Sequence, residues 1–248
     1  MTTLAYTFAD LYQEVAFYLG LGRSPSGPDL VTAQKYANAG YRRFLQGVDP
    51  RTGIAYSWNF LSPPSELAMS DDLSPYAEIA LPADFESIID DPSFEPGTGY
   101  VYIRPRSVSF LKNLYARTDL ATGIPTFYCI YPNAAGAATP WSMLVWPIPD
   151  QAYSFRYRYR MNPPLLVQDA DVPVGGVNHA ETILAACLAV AENRHNDRIG
   201  EKDAAFKEMM AASIDADART RPMDLGPMFD PSDEDHARQQ FTPPTYRT

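Results

Sequence analysis

The run from Tyr153 to Met161, YSFRYRYRM, alternates without a break. Tyr153, Phe155, Tyr157, Tyr159 and Met161 fall on one side; Ser154, Arg156, Arg158 and Arg160 fall on the other. Successive side chains leave a pleated backbone on opposite faces, so the pattern predicts a half-buried antiparallel strand about 30 Å long. Its aromatic face belongs in a core. Its other face carries three arginines at alternate positions, about 6.6 Å apart. By charge alone that stripe reads as a solvated sheet face, a contact for an acidic partner surface, or a phosphate grip.

Such a strand needs others beside it. Strand-like pieces between turns are expected at 77–81, 86–90, 99–103, 126–130 and 143–146, with a short helix over 107–115 through Phe110, Leu111 and Leu114. The chain holds 23 prolines in 248 residues, many at segment borders (Pro63, Pro75, Pro82, Pro92, Pro105, Pro125, Pro140, Pro147). Proline cannot donate to a ladder, which suits short strands and turns. Six or so short strands predict a small antiparallel sandwich or partly open barrel.

Helical spacing flanks this region. Phe8, Leu11, Tyr12, Val15, Tyr18 and Leu19 share a face, with Thr7 able to cap the start and Gly20 and Gly22 to stop it. A second helix over about 29–46 carries Leu30, Ala33, Ala37, Tyr41, Phe44 and Leu45. The aromatic cluster Tyr56, Trp58 and Phe60 follows. Helix returns at Asn178, where Asn178 and Glu181 stand at the N-cap and N3 positions of a capping box. The run 183–191 is apolar nearly all round, which places it centrally in a bundle. After Gly200, Phe206, Met209, Met210, Ser213 and Ile214 mark a last amphipathic helix. The fold class is therefore α+β. Residues 219–248 carry Pro, Asp and scattered hydrophobes without period, a composition that stays unfolded unless a neighbour holds it.

The net charge is −10, which opposes ordinary nucleic-acid binding because phosphate neutralisation needs a positive surface. No run of 18 apolar residues and no signal-peptide pattern is found, so the expectation is a protein of a reducing cytosol with no membrane contact. Cys129 and Cys187 then act as small apolar residues. Phosphate-loop, dinucleotide, zinc-protease, esterase and calcium-loop motifs are missing, and no cofactor is expected. His179 and Glu181 form an H-x-E, but the P-C-x-x-C that zinc deaminases need downstream is absent. His195 and His236 read as solvent-facing. Asp71 with Asp72, Asp90 with Asp91, and the acids of 233–235 read as solvated turns, since adjacent strand residues point to opposite faces.

The order of segments resembles the head-to-tail adaptor proteins of tailed bacteriophages, including the tail tubular protein A type. The resemblance runs over about residues 5–215. It is carried by YANAGYRRFLQG (36–47), YSWNFL (56–61), EIALPADFESIID (78–90), TGIPTFYCI (122–130), LVWPIPDQAYSFRYRYR (144–160) and HAETILAACLAVAE (179–192). It implies a helical bundle built from both ends of the chain, residues 1–55 and 171–218, and an inserted β subdomain at 56–170; the tail at 219–248, read as extended, has no counterpart in it. It further implies a ring, usually of twelve copies, at the virion neck, made in the host cytoplasm. The implied partners are further copies of itself, the portal protein and the next tail component, with DNA passing through the channel unbound. No catalysis is implied. Partner-contact candidates are Arg156, Arg158 and Arg160 on the strand, and Leu225, Met228, Phe229, Phe241 and Tyr246 in the tail. Two other readings are another tail component, such as a nozzle, tube or fibre-associated module, and a carboxylate-dependent cell-wall hydrolase.

Overall fold

A computed structural model describes residues 4–69, 76–95, 103–117, 120–196 and 199–220. In chain order it has helices α1 (Phe8–Tyr18) and α2 (Gly27–Leu45), strands β1 (Pro64–Met69), β2 (Glu78–Ala80), β3 (Phe85–Phe94) and β4 (Arg104–Pro105), and helix α3 (Val108–Tyr115). Strands β5 (Phe127–Pro132), β6 (Trp141–Trp146) and β7 (Tyr153–Met161) follow, then helices α4 (Ala180–Asn196) and α5 (Glu201–Ala218).

Thr7 opens α1 with a full capping box: its hydroxyl accepts from the Asp10 amide, and the Asp10 carboxylate accepts from the Thr7 amide. Both reciprocal bonds satisfy donors the first turn would otherwise leave orphaned. The box expected at Asn178 and Glu181 is not formed. There a 3-10 turn, Val177–His179, leads into α4, and the Glu181 carboxylate instead accepts the Tyr6 hydroxyl at 2.7 Å.

Helix α4 packs against α1, α2 and α5, and Ile183, Ala186, Cys187, Ala189, Val190 and Ala191 are all buried along it. Small residues make this closeness possible. Ala33, Ala37 and Gly40 put one side of α2 directly on α4, and the Cys187 thiol donates to the Ala37 carbonyl at 3.3 Å. The neighbouring positions of α2 clamp the returning chain. Asn38 exchanges two bonds with the Leu166 backbone, each 3.0 Å, and the Tyr41 hydroxyl accepts from the Val174 amide at 2.9 Å. Amides of the first turn of α1 at Phe8 and Ala9 donate to the carbonyls of Asp171 and Asp169. Both ends of the chain thus share one core, which also takes in Trp58, Leu61 and Leu166. Trp58 is wholly buried, wedged between Phe44 and Phe60, and its indole donates to the Phe44 carbonyl at 3.3 Å. Burying one such side chain stabilises by about 1.5–3 kcal/mol or more.

A second core lies among the strands. One sheet has the order β1-β7-β3 and the other β2-β6-β5-β4. Strand β7 has the bounds its alternation predicts, with Tyr153, Phe155, Tyr157 and Tyr159 buried. Strand β1, which the sequence reading passes over, lies antiparallel beside it. The second sheet is covered on both faces. Phe127, Tyr131 and Trp146 face α3, through Phe110, Lys112 and Tyr115, while Tyr128 and Trp141 meet β3 at Asp91 and Phe85. Among the described residues all strand pairs are antiparallel except the two-residue β4–β5 pair, which is parallel and has α3 as its crossover. The sheets stay open and, among the described residues, form no closed barrel. Met161 touches both cores. The expected strand at 99–103 lies, apart from Ile103, outside the described residues.

Candidate interaction surfaces

The arginine stripe stands on the outer face of the three-stranded sheet, and β3 together with the residue that follows it supplies a carboxylate for each member. Arg156 lies 3.7 Å from Glu95, Arg158 3.6 Å from Asp90, and Arg160 3.4 Å from Glu86. On the other side Ser154 donates to Glu66 of β1. Arg160 also donates to Ser57 at 3.0 Å, fastening the sheet to the segment that enters the helical core.

The acids are not evenly spaced. Arginines at alternate positions call for acids at alternate positions, yet these stand at 86, 90 and 95. The mismatch is absorbed by three register shifts, at 85/87, 88/90 and 90/93, so that ten residues of β3 accompany Phe155–Met161 of β7. Each extra residue bends the strand and re-aims the next side chain. Asp90 and Asp91, as neighbours in a strand, point to opposite faces: Asp90 reaches Arg158, and Asp91 accepts the Tyr128 hydroxyl at 2.6 Å. Burial, then the bond to Asp91, raise the Tyr128 phenol well above its ordinary range.

Between β1 and β3 this face holds an open cleft of about 520 Å³, lined by Pro64, Glu66, Asp90, Asp91, Arg156 and Arg158. Its charges nearly cancel. At these exposures each ion pair contributes about 0–1 kcal/mol. The acidic neighbour expected for the stripe is therefore present within the chain itself, and an outside acidic surface would have to displace it.

The groups considered for catalysis are structural. His179 is 4% exposed, packed among Phe44, Trp58 and Phe60, with its Nδ1 3.2 Å from the Ser213 hydroxyl. Burial lowers its pKa, and the Asp217 carboxylate opposes that. Cys187 is buried, which pushes its thiol up to about 12, so it is not a nucleophile near neutrality. Cys129 is buried too, and its thiol is raised by the same cause. His195 is exposed, as read from its surroundings. Among the described residues no group of three His, Cys, Asp or Glu side chains is placed to hold a metal, and no helix is long and apolar enough to cross a membrane. Leu225, Met228, Phe229, Phe241 and Tyr246, with His236 and the acids at 71–72 and 233–235, lie outside the described residues.

A second surface escaped the sequence reading. Arg42, Arg43 and Arg194, with Ala39, Gln46 and Asn193, line a groove of about 300 Å³ beside α2 and α4. Arg43 bonds the buried carboxylate of Asp203, which Lys207 also holds at 2.9 Å. Burial alone would raise the Asp203 pKa, but Lys207 and Arg43 outweigh it and leave the carboxyl below its ordinary value. Arg194 lies over the Tyr36 ring at 5.4 Å. Among the described residues neither Arg42 nor Arg194 has a carboxylate within ion-pair distance. The adjacent arginines in YANAGYRRFLQG were the available signal, obscured because nothing local shows which of the two is neutralised.

Residues 6–227 match a family model described as SU10 adaptor protein. A search of curated proteins returns no match to the chain.

Proposed function

The chain belongs to the SU10 adaptor protein family of bacteriophage structural proteins, and from that premise we propose that its copies form a ring joining the portal of the capsid to the next tail component. The ring has twelve copies, sits at the neck of the virion, and surrounds the channel through which DNA passes. The observation that carries this reading is the family match across most of the chain. Its fold supports it: one helical core is sewn from both chain ends, and the strands between them hold a second core of their own. Charge supports it as well. A net charge of −10 per copy gives a channel wall that lets DNA slide rather than holding it, and the lumen of the ring is mainly acidic.

In this reading residues 222–248 lie extended on an adjacent copy or on the portal, anchored by Leu225, Met228, Phe229, Phe241 and Tyr246. Contact of Arg156, Arg158 and Arg160 with an acidic neighbour is a lesser part of the proposal, because each guanidinium is already matched within its sheet. A cryo-EM reconstruction of the particle neck tests the whole. A ring of this chain between portal and tail is expected; finding the chain elsewhere in the virion, or a continuously basic channel, would overturn it. Removal of 222–248 is expected to reduce attachment to portal-bearing capsids.

A further inference from the structure

The backs of two helices carry opposite charge at the same spacing. On α2 the residues that meet the core are Ala33, Ala37, Gly40, Tyr41 and Phe44. At 100° per residue, Lys35 and Arg42 point directly away from them, two turns or about 10.5 Å apart. Both are exposed. Arg194 stands beside Arg42 in the groove already described, so this flank is basic on a protein that is acidic overall. On α5 the core residues are Asp203, Phe206, Met210, Ser213, Ile214 and Asp217. Glu201, Glu208 and Asp215 form the stripe directly opposite, again at two-turn spacing, and are exposed. Asp215 is engaged by both terminal nitrogens of Arg51. Among the described residues Glu201 and Glu208 have no cation within ion-pair distance, and Lys35 and Arg42 no carboxylate.

The flanks of the α5 stripe are Ala204, Ala205, Ala211 and Ala212. Short side chains there let another helix approach without displacing bulk. The central helix α4 packs against both α2 and α5, and Arg43 of α2 bonds Asp203 of α5, so the two helices lie side by side on it with their charged backs turned outward. A surface of a molecule that matches a different surface of the same molecule defines a heterologous contact. Repeated with rotation, such a contact closes a ring.

We propose that the back of α2 docks the back of α5 from a second copy of this chain, with Lys35 and Arg42 pairing Glu201 and Glu208 and Arg194 at the margin. This rests on the ring reading and gives it an interface. The occupant is a second copy because the two faces of one molecule are complementary in both charge and spacing. Duplex DNA is the poorer fit, since a few guanidiniums in a pocket of about 300 Å³ contact too few phosphates.

The test uses two full-length variants: Lys35→Glu with Arg42→Glu, and Glu201→Lys with Glu208→Lys. All four sites are exposed, and thermal melts confirm that each variant folds. Each variant alone places like charges across every contact, so self-association measured by native mass spectrometry, free or on portal-bearing particles, is expected to weaken about ten-fold or more. An equimolar mixture alternates the two kinds of copy and restores every pair, so it should assemble where neither variant does. If the wild type assembles and both variants assemble equally well, the interface is overturned while the ring reading stands. If the wild type forms no oligomer in solution or in particles, the ring reading fails and the interface with it.

Discussion

A Cβ placed on Gly40 would stand 2.3 Å from the Cα of Cys187 and 2.5 Å from its amide nitrogen. Helices α2 and α4 therefore meet backbone to backbone, and the spacing of the whole bundle is set at this crossing. The obstacle is main chain, which no rotamer change relieves. Gly40→Ala is expected to cost about 3 kcal/mol, at the upper end for overpacking, despite the better helix propensity of alanine. Urea unfolding measures it. A loss under 1 kcal/mol would show that the helices can separate freely.

Gly200 presents a different case. An added Cβ there would meet the Glu192 carboxylate at 2.5 Å, and that carboxylate accepts from the Lys202 and Asp203 amides at 3.0 and 3.3 Å. A side chain of α4 thus caps α5. Gly200→Ala and Glu192→Ala should each cost about 1–2 kcal/mol, and the double variant less than the sum, because both remove the same cap. A denaturation cycle over the four proteins decides it; strict additivity would separate the two residues.

The outer and inner faces of β7 should differ sharply. Arg158→Ala loses an exposed pair and is expected to shift stability by less than about 1 kcal/mol, and raising salt should shrink the effect further. Phe155→Ala empties a site of 0% exposure and should cost about 3–5 kcal/mol. Thermal melts of both variants provide the comparison, and similar losses would mean that the ion-pair ladder, not the aromatic face, holds the sheet.

The buried imidazole gives the protein a pH dependence. Burial holds the pKa of His179 below the ordinary 6.5, against an opposing push from Asp217. As pH falls through 6.5 the unfolded chain takes up a proton that the folded chain refuses. Stability is therefore full above that value and declines down to the lower folded value. Asp203, also lowered, acts further down: its contribution is present above 3.8 and lost as pH falls through its folded value. Between pH 7 and 5 the decline should be His179's. Urea midpoints of His179→Phe across that range are expected to be flatter than wild type; an unchanged slope would assign the dependence elsewhere.

How much of this was legible depends on whether local pattern or distant geometry decides an element. Strand β7 announces itself because its own residues alternate without a break from Tyr153 to Tyr159. The first two helices do so because their stripes are unambiguous. Strand β1 hides behind Pro63 and Pro64, with only Leu67 and Met69 to mark a buried face, and it exists because β7 offers an edge. The carboxylates that neutralise the arginines cannot be matched by counting, since three bulges put them at 86, 90 and 95. At Asn178 the local signal is correct in form, but Glu181 has a better donor in Tyr6, more than 170 residues away in sequence. The charged backs of α2 and α5 were visible only once each helix's buried side was known.

Because one core is assembled from both ends of the chain, its formation has an order in time. When α1 and α2 leave the ribosome, the helix they must cover is still about 150 residues from completion, roughly 8–30 s of synthesis at ordinary rates. The strands between them can close their own core meanwhile. For that interval Phe8, Leu11, Val15 and Phe44 have no permanent cover, so the nascent chain is most prone to sticking before α4 emerges and safest after it.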